Sequence, residues 1–548
     1  MRNFVIKHFN AILLGLIIAW GIFLRLYKIN EIPFGLYPDV AVNGLDALEI
    51  LQGKILPFYY RNGGREGLFF FFNAIFVAIY GNKPLALYLT SSVIGILTLP
   101  IMYLFGKTFY NRRIALISTF LLASSFYHLN FSRLGYRVIT LPLVLMFVLI
   151  TLKWAFTKRN QKYWIIAGFF LALGFYTYIS YRIVPFVLLF LFLVFRKKFV
   201  NFKLKEFKNP VFSFFITLTP MIIYILRYPA DFFGRMFGAS ILSTYNAQSG
   251  FPDTLGERIA ATLKMFFVSG DPMIQYNYAA IPLLTFIETG FFLIGIFLLI
   301  KNINKVTNAL VLTISIALTL PIVFSDSTPH ILRSFGMVPF LCLTIALGLE
   351  KVAEIVEKKI HPIFAILLIT GVLIYSGING YVLYFEKWAT QTGLDKELYV
   401  DLTKMSEYAL NYHEDKPLYF ILGSMWNQKK DSKSVIHEKL SFLPENIVTW
   451  GINTWDPKRP LEPKIDYENT AGESAYFWEG NTIKYLVYSE KQDYEVRDYR
   501  QLTKEENGVY IFSKIWHPDF REKLLNVFPD AKLKIENEYY EVWETEKQ

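Results

Sequence analysis

Residues Gly35 to Phe72 read "GLYPDVAVNGLDALEILQGKILPFYYRNGGREGLFFFF" and hold Asp39, Asp46, Glu49, Arg61, Arg65 and Glu66. This charged stretch lies between two strongly apolar segments. The chain around it has 548 residues, of which 53% are hydrophobic and 18% charged, with 51 Phe and 35 Tyr. Apolar runs near bilayer length recur from residue 11 to residue 385. A soluble domain would alternate such runs with polar faces, so the pattern predicts a polytopic helical membrane protein. The stretch 35–72 then reads as a folded loop between spans.

Net charge of +11 does not point to nucleic acid, because of where the cations lie. They gather at alternate ends of the apolar runs: Lys107, Arg112 and Arg113; Lys153, Lys158, Arg159 and Lys162; Arg196 to Lys208; Lys301 and Lys305; Lys351, Lys358 and Lys359. That asymmetry assigns these loops, and the N-terminus with Arg2 and Lys7, to the cytoplasm. No small-residue cleavage site follows the first run, which reads as a retained span. Spans are predicted near 11–27, 84–106, 114–131, 138–157, 163–180, 183–195, 210–228, 281–300, 306–324, 335–350 and 362–385. These eleven put the N-terminus inside and the C-terminus outside. The run Leu68 to Tyr80 is too short to cross and reads as a helix along the outer surface.

Two units follow: a membrane module over 1–385, with external loops 28–83 and 228–280, and an extracytoplasmic α/β domain over 386–548. In the second, the β-like runs "PLYFILG", "IKYLVYS" and "YYEVWE" alternate with helical stretches such as "DFREKLLNVF". The lone cysteine, Cys342, excludes an intramolecular disulfide framework and a thiolate metal cluster. A phosphate-binding glycine loop, a paired-His zinc motif and a Gly-x-Ser-x-Gly elbow are all missing.

On the predicted outer face, one isolated acid, Asp39, is followed by arginines at helix ends: Arg65, Arg133, Arg137, Arg182 and Arg333. Ionisable groups near a bilayer are costly and tend to be functional. Guanidinium groups at headgroup depth suit a lipid phosphate, which they bind bidentately while staying charged. A carboxylate beside them suits a general base towards a hydroxyl or amine. Bland readings stand beside these. Asp39 after Pro38 is also a common helix-start residue. Arg133 and Arg137 also suit headgroup anchors, and the "YTYISYR" aromatics around Tyr181 an interfacial belt. Asp46 and Glu49 read as solvated or salt-bridged, and Arg61 as a loop charge. His128 and His330 lack a second ligand at i+4, so no metal site is expected.

The order of these pieces resembles a known family. "LYPDVAVNGLDALEILQG" follows a first span, then come "GGREGLFFFF", "YHLNFSRLGYRVITLPL", "YTYISYRIVP" and "TPHILRSFGMVP". Over about residues 11–350 this is similar to the GT-C glycosyltransferases, in particular the protein O-mannosyltransferase and aminoarabinose-transferase-like branch. The resemblance implies an inverting glycosyltransferase in the cell membrane. It would move a sugar from a polyprenyl-phosphate donor to a lipid, glycan or protein acceptor on the extracytoplasmic face, with no cofactor and no metal. Asp39 matches the family's catalytic aspartate. Arg65 stands where relatives carry a basic residue before an aromatic helix, and Arg65, Arg182 and Arg333 are the expected donor-phosphate ligands. Glu66, Tyr181, His128, Arg133, Arg137 and His330 are further candidates for substrate contact. Relatives often carry Lys-Pro-Pro where this chain has "REG", and some carry Asp-Glu where it has Asp39-Val40. A lipid-linked glycan transporter or flippase, or a non-catalytic envelope assembly protein, would share the topology. A transporter would favour charges within spans and broken helices in inverted repeats, which this chain does not display.

Overall fold

The computed structural model describes residues 2–199, 208–229, 231–233, 254–325, 327–422, 473–488, 494–498 and 508–545. Part of the predicted external loop 228–280, at 234–253, lies outside the described residues, as does all of 423–472.

Helix α1 (Arg2–Leu26) leads into the charged stretch. There the chain forms α2 (Pro38–Leu51), a two-stranded hairpin of β1 (Phe58–Tyr59) and β2 (Arg65–Glu66), and α3 (Leu68–Tyr80). Pro38 at the first turn of α2 suits a position whose N–H has no intrahelical acceptor. Gly64, with φ of +96°, closes the hairpin against the Asp231 carbonyl, where a Cβ would collide. The expected short helix at 68–80 is therefore present.

Next come α4 (Pro84–Phe109), α5 (Arg112–Ser124), α6 (Phe126–Arg133), α7 (Thr140–Lys158), α8 (Gln161–Leu173), α9 (Val184–Val194) and α10 (Lys208–Arg227). They are followed by α11 (Leu255–Phe267), α12 (Phe286–Lys301), α13 (Val306–Val323), α14 (Ile331–Ser334), α15 (Val338–Lys359) and α16 (Pro362–Tyr381). Capping boxes open α11 at Thr254 and Glu257 and α12 at Thr285 and Glu288. All the expected spans are helical in whole or large part, but among the described residues seven helices are long and apolar enough to cross a membrane. An eighth arises if α5 and α6 count as one span, bent by 56° where Ser125 caps the second half. The remaining three fall short. Helix α8 stops at Leu173 and gives way to tighter turns, α9 has 11 residues, and α12 has 16.

The helix beginning at α16 runs through a π-helical turn to Trp388, three residues beyond the expected boundary at 385. After it come α17 (Leu394–Glu397), α18 (Val400–Leu410), β3 (Leu418–Leu422), α19 (Glu473–Leu486), β4 (Tyr494–Asp498), β5 (Gly508–Ser513), α20 (Phe520–Val527), β6 (Lys532–Glu536) and β7 (Tyr540–Thr545). The sheet order is β4-β3-β5-β7-β6, parallel on both sides of β3 and antiparallel where β7 meets β5 and β6. Alternation along the strands splits its side chains. Tyr419, Ile421, Tyr510 and Phe512 pack under α20, while Leu418, Phe420, Val509 and Ile511 join the core shared with the membrane module.

"PLYFILG", "YYEVWE" and "DFREKLLNVF" take the expected forms, but "IKYLVYS" does not. Its first four residues end helix α19, where Ile483 and Tyr485 are fully buried. A four-residue apolar run suits either form, and packing of α19 on α2 selects the helix.

Candidate active site

Asp39 occupies the first turn of α2, where exposed backbone N–H groups and the helix dipole favour a negative charge. It is half-buried. Asn62 Nδ2 donates to its Oδ1 at 2.6 Å. Asn62 takes a left-handed conformation, φ +56°, in the turn before β2. Three tyrosines surround the carboxylate. Tyr37 lies 6.0 Å from Tyr136, ring to ring, and Tyr136 lies 5.6 Å from Tyr276. Tyr276 donates its hydroxyl to that of Tyr136 at 3.3 Å. Burial first, with the Asp39 charge adding to it, holds all three phenols above their ordinary pKa. They stay neutral hydrogen-bonding groups beside the acid.

His330 lies 5.3 Å from Tyr276, ring to ring. Its Nδ1 is 3.1 Å from Asp271, whose Oδ2 also accepts from the Ile331 amide at 2.8 Å. Asp271 therefore pins α14, which carries Arg333, to the segment holding Tyr276.

The two charges of β2 part company. Successive residues of a strand point to opposite sides. Arg65 turns inward to α2, pairs with Asp46, donates to Asn43 Oδ1 at 2.5 Å and to the Arg61 carbonyl at 3.1 Å, and stacks on Phe70. It is 1% exposed and Asp46 is 0% exposed. Arg61 bonds Asp46 at 2.7 Å and Glu49 at 2.5 Å, so it is more than a loop charge. Asp46 and Glu49 are salt-bridged, as expected.

Glu66 faces the other way and meets Arg137 and Arg182, each at 3.3 Å. Arg182 also donates to the Phe232 carbonyl at 3.0 Å and lies 3.6 Å over its ring, while Arg137 covers Tyr178. Arg137 Nη2 and Arg182 Nε are buried and have no hydrogen-bond partner among the described residues. Two guanidiniums on one carboxylate leave a net positive site with unmet donors, the chemistry of an anion site. Arg137 directly follows Tyr136, and Glu66 lies four residues from Asn62, so this cluster and Asp39 belong to one neighbourhood.

An apolar cavity of about 490 Å³ begins at Pro185, three residues after Arg182. Pro185, Leu188 and Leu191 of α9 line its near side, and it extends to the basic ends of the spans at Phe109 of α4, Lys153 of α7, Pro210 of α10 and Val306 of α13.

Three other candidates sit in packed interior. Arg133 donates to the carbonyls of Leu24, Tyr27 and Ile32 at 2.7–2.9 Å and to the Tyr384 hydroxyl at 3.1 Å. His128 Nδ1 lies 2.7 Å from Arg25, and Tyr181, fully buried, donates to the Leu171 carbonyl at 2.9 Å. Among the described residues, no three His, Cys, Asp or Glu side chains group as metal ligands.

The dolichyl-phosphate-mannose-protein mannosyltransferase family model matches residues 68–224. No curated protein matches the chain. Among solved structures, ArnT from Cupriavidus metallidurans bound to undecaprenyl phosphate superposes with a TM-score of 0.59 at 11% identity, covering 98% of each chain. The Archaeoglobus fulgidus oligosaccharyltransferase in the apo form gives 0.51 at 15% identity, over 92% of this chain and 70% of that one. At these identities the likeness to the solved structures is one of fold.

Proposed function

We propose that this multi-pass membrane protein, similar over residues 68–224 to the protein mannosyltransferases and in fold to ArnT, is an inverting GT-C glycosyltransferase that takes its sugar from a polyprenyl-phosphate carrier. The observation that carries the reading is the succession of an acid at Asp39, a cationic cluster at Arg137 and Arg182, and an apolar cavity that starts three residues after Arg182. A sugar-phosphate-isoprenoid has its three parts in that order.

The carrier phosphate sits on Arg137 Nη2 and Arg182 Nε, with Arg333 as a third cation and the isoprenoid in the cavity. Glu66 holds each arginine on a separate carboxylate oxygen. Asp39, held by Asn62, takes the proton from the acceptor hydroxyl or amine. The acceptor attacks the anomeric carbon from the face opposite the phosphate, and the bond from that carbon to the phosphate oxygen breaks. The leaving polyprenyl phosphate gains a negative charge, which the arginines neutralise. Tyr136, Tyr276 and His330 line the space for sugar and acceptor hydroxyls. Residues 1–385 form the membrane module and 386–548 the second domain. The basic loops are cytoplasmic, and the site and the C-terminal domain lie on the extracytoplasmic face.

The test is mass spectrometry of lipids that co-purify with the protein, followed by transfer from the identified carrier. A polyprenyl-phosphate sugar consumed by wild type and bound but not consumed by Asp39→Asn supports the enzyme. Movement of intact carrier across vesicles by both proteins would make it a flippase. Glycan binding without turnover would make it an assembly protein.

A further inference from the structure

Helix α2 is gripped from the outer side by elements more than 360 residues away. Just before the helix, both backbone groups of Leu36 bond to hydroxyls of the C-terminal region: its N–H donates to Thr403 Oγ1 at 2.9 Å, and Thr482 Oγ1 donates to its carbonyl at 3.0 Å. Both threonines are buried. Gly35 lies against the Leu398 carbonyl and the Val400 amide, so closely that a Cβ would collide. At mid-helix, the ring of Tyr485 lies flush on Gly44, again leaving no room for a Cβ. Tyr485 is fully buried and donates to the Lys83 carbonyl at 3.3 Å, at the start of α4. At the far end, Gln52 Nε2 donates to the Tyr488 hydroxyl at 2.7 Å.

We infer that the C-terminal sheet domain is the positioning element for the acid of the site, with Tyr485 and Thr482 holding α2 where Asp39 works. The inference rests on the assignment of Asp39 as the base. Leu36 precedes Asp39 by three residues, less than one helical turn. Its two hydrogen bonds therefore fix the entry of the helix, and Tyr485 on Gly44 fixes its depth and roll. A second path runs through the aromatics. Tyr37 lies 5.9 Å from Tyr399, which stacks on Trp516 at 5.3 Å in the turn after β5. A shift of the sheet relative to the spans would thus move the Asp39 turn. Tyr485 and Thr482 touch backbone and glycine, so they act through α2 and not on substrate.

Gly44 gives the test its sign. In the interior of a helix alanine is the better helix former, so Gly44→Ala by itself favours α2. Against the Tyr485 ring, the added methyl must push the helix away. Misplacement of a reacting group by about 1 Å costs about 10²-fold in rate. Gly44→Ala should therefore lower kcat by roughly 10–100-fold and leave donor affinity unchanged. Hydrogen exchange of amides 39–51 should quicken, while that of strand 508–513 stays as in wild type. Tyr485→Leu alone should lower kcat and quicken exchange by removing the ring that seats Gly44, and added to Gly44→Ala it should restore part of both by vacating the space the methyl needs. Thr482→Val, a milder change, should shift both in the same direction as Gly44→Ala.

Faster exchange with full kcat would overturn the positioning role, as would a loss that Tyr485→Leu fails to rescue. If wild type itself transfers no sugar, the assignment of Asp39 falls. The exchange measurements on Gly44→Ala with and without Tyr485→Leu then still decide whether the domain holds the helix.

Discussion

Arg65 and Arg182 are both arginines of the expected phosphate set, yet their surroundings predict opposite failures. Arg65→Ala removes a cation from a place 1% exposed and leaves Asp46, 0% exposed, with Arg61 as its remaining charged partner at 2.7 Å. Breaking a buried ion pair by removing one member costs about 3–5 kcal/mol. The surviving Arg61 contact puts this case near the lower end, about 3 kcal/mol, enough to lower the melting temperature by several degrees, at about 2 °C or more per kcal/mol. Changing Arg65→Gln and Asp46→Asn together removes both charges and should recover much of that loss. Donor affinity should change little. Arg182→Ala should do the reverse. Truncating one contact to a charged ligand costs about 2 kcal/mol or more, which is roughly 30-fold in Kd, with a smaller change in melting. The assay is thermal unfolding of detergent-solubilised variants beside titration with the polyprenyl phosphate. Unchanged melting with lost carrier affinity in Arg65→Ala would refute the assignment and return Arg65 to the donor site.

Asp39→Asn keeps size and the Asn62 contact but removes the base. Single-turnover rates should fall by about 10²–10⁴-fold with carrier binding nearly intact, and loss of binding would count against the role. Turnover should survive EDTA, since arginines supply the charge that a divalent ion would otherwise bring. Complete loss restored by magnesium or manganese would turn Asp39 into a ligand. Asp401, fully buried in α18, has its carboxyl pushed up to about 6 by burial. A raised carboxyl contributes stability below its unfolded value near 3.9 that is lost as pH rises through about 6. Asp401→Asn should therefore melt higher than wild type at pH 7.5, by up to about 3 kcal/mol of stability, and the gap should close towards pH 4. A gap of constant size would show that ionisation is not its cause. A reporter active only outside the cytoplasm, fused after Trp388, should give signal, and silence there would place Asp39 and the sheet domain on opposite faces.

The helical membrane architecture was legible because span length and cation placement are local properties of the sequence. Asp39 stood out for a similar reason, since Pro38-Asp39 opens a helix immediately after a span. What surrounds Asp39 was not legible. Tyr136 and Tyr276 arrive from about 100 and 240 residues downstream, and Asn62 acts through a turn that its Asn-Gly-Gly sequence marks only as a bend. The opposed directions of Arg65 and Glu66 depend on a strand of two residues, too short for any periodicity to announce. Read along the chain, Arg65 was the nearer match to a phosphate ligand. In space, the neighbouring Glu66 is the residue that gathers Arg137 and Arg182. Helix α8 ended early because Gly174 sits against the Tyr181 ring and the chain turns tightly there, a packing event with no apolar signature.

The bond from Thr482 to Leu36 spans 446 residues, and this has a consequence in time. Ribosomes add about 5–20 residues each second, so Thr482 follows Leu36 by something like 20–90 s. For most of that interval α2 exists without its contact to Thr482. Only once His330 has been added does a nascent chain hold every residue of the Asp39 and Arg182 neighbourhood, and even then it still lacks the Thr482 contact. If the proposed function holds, sugar transfer would begin only after Thr482 and Tyr485 have reached helix α2.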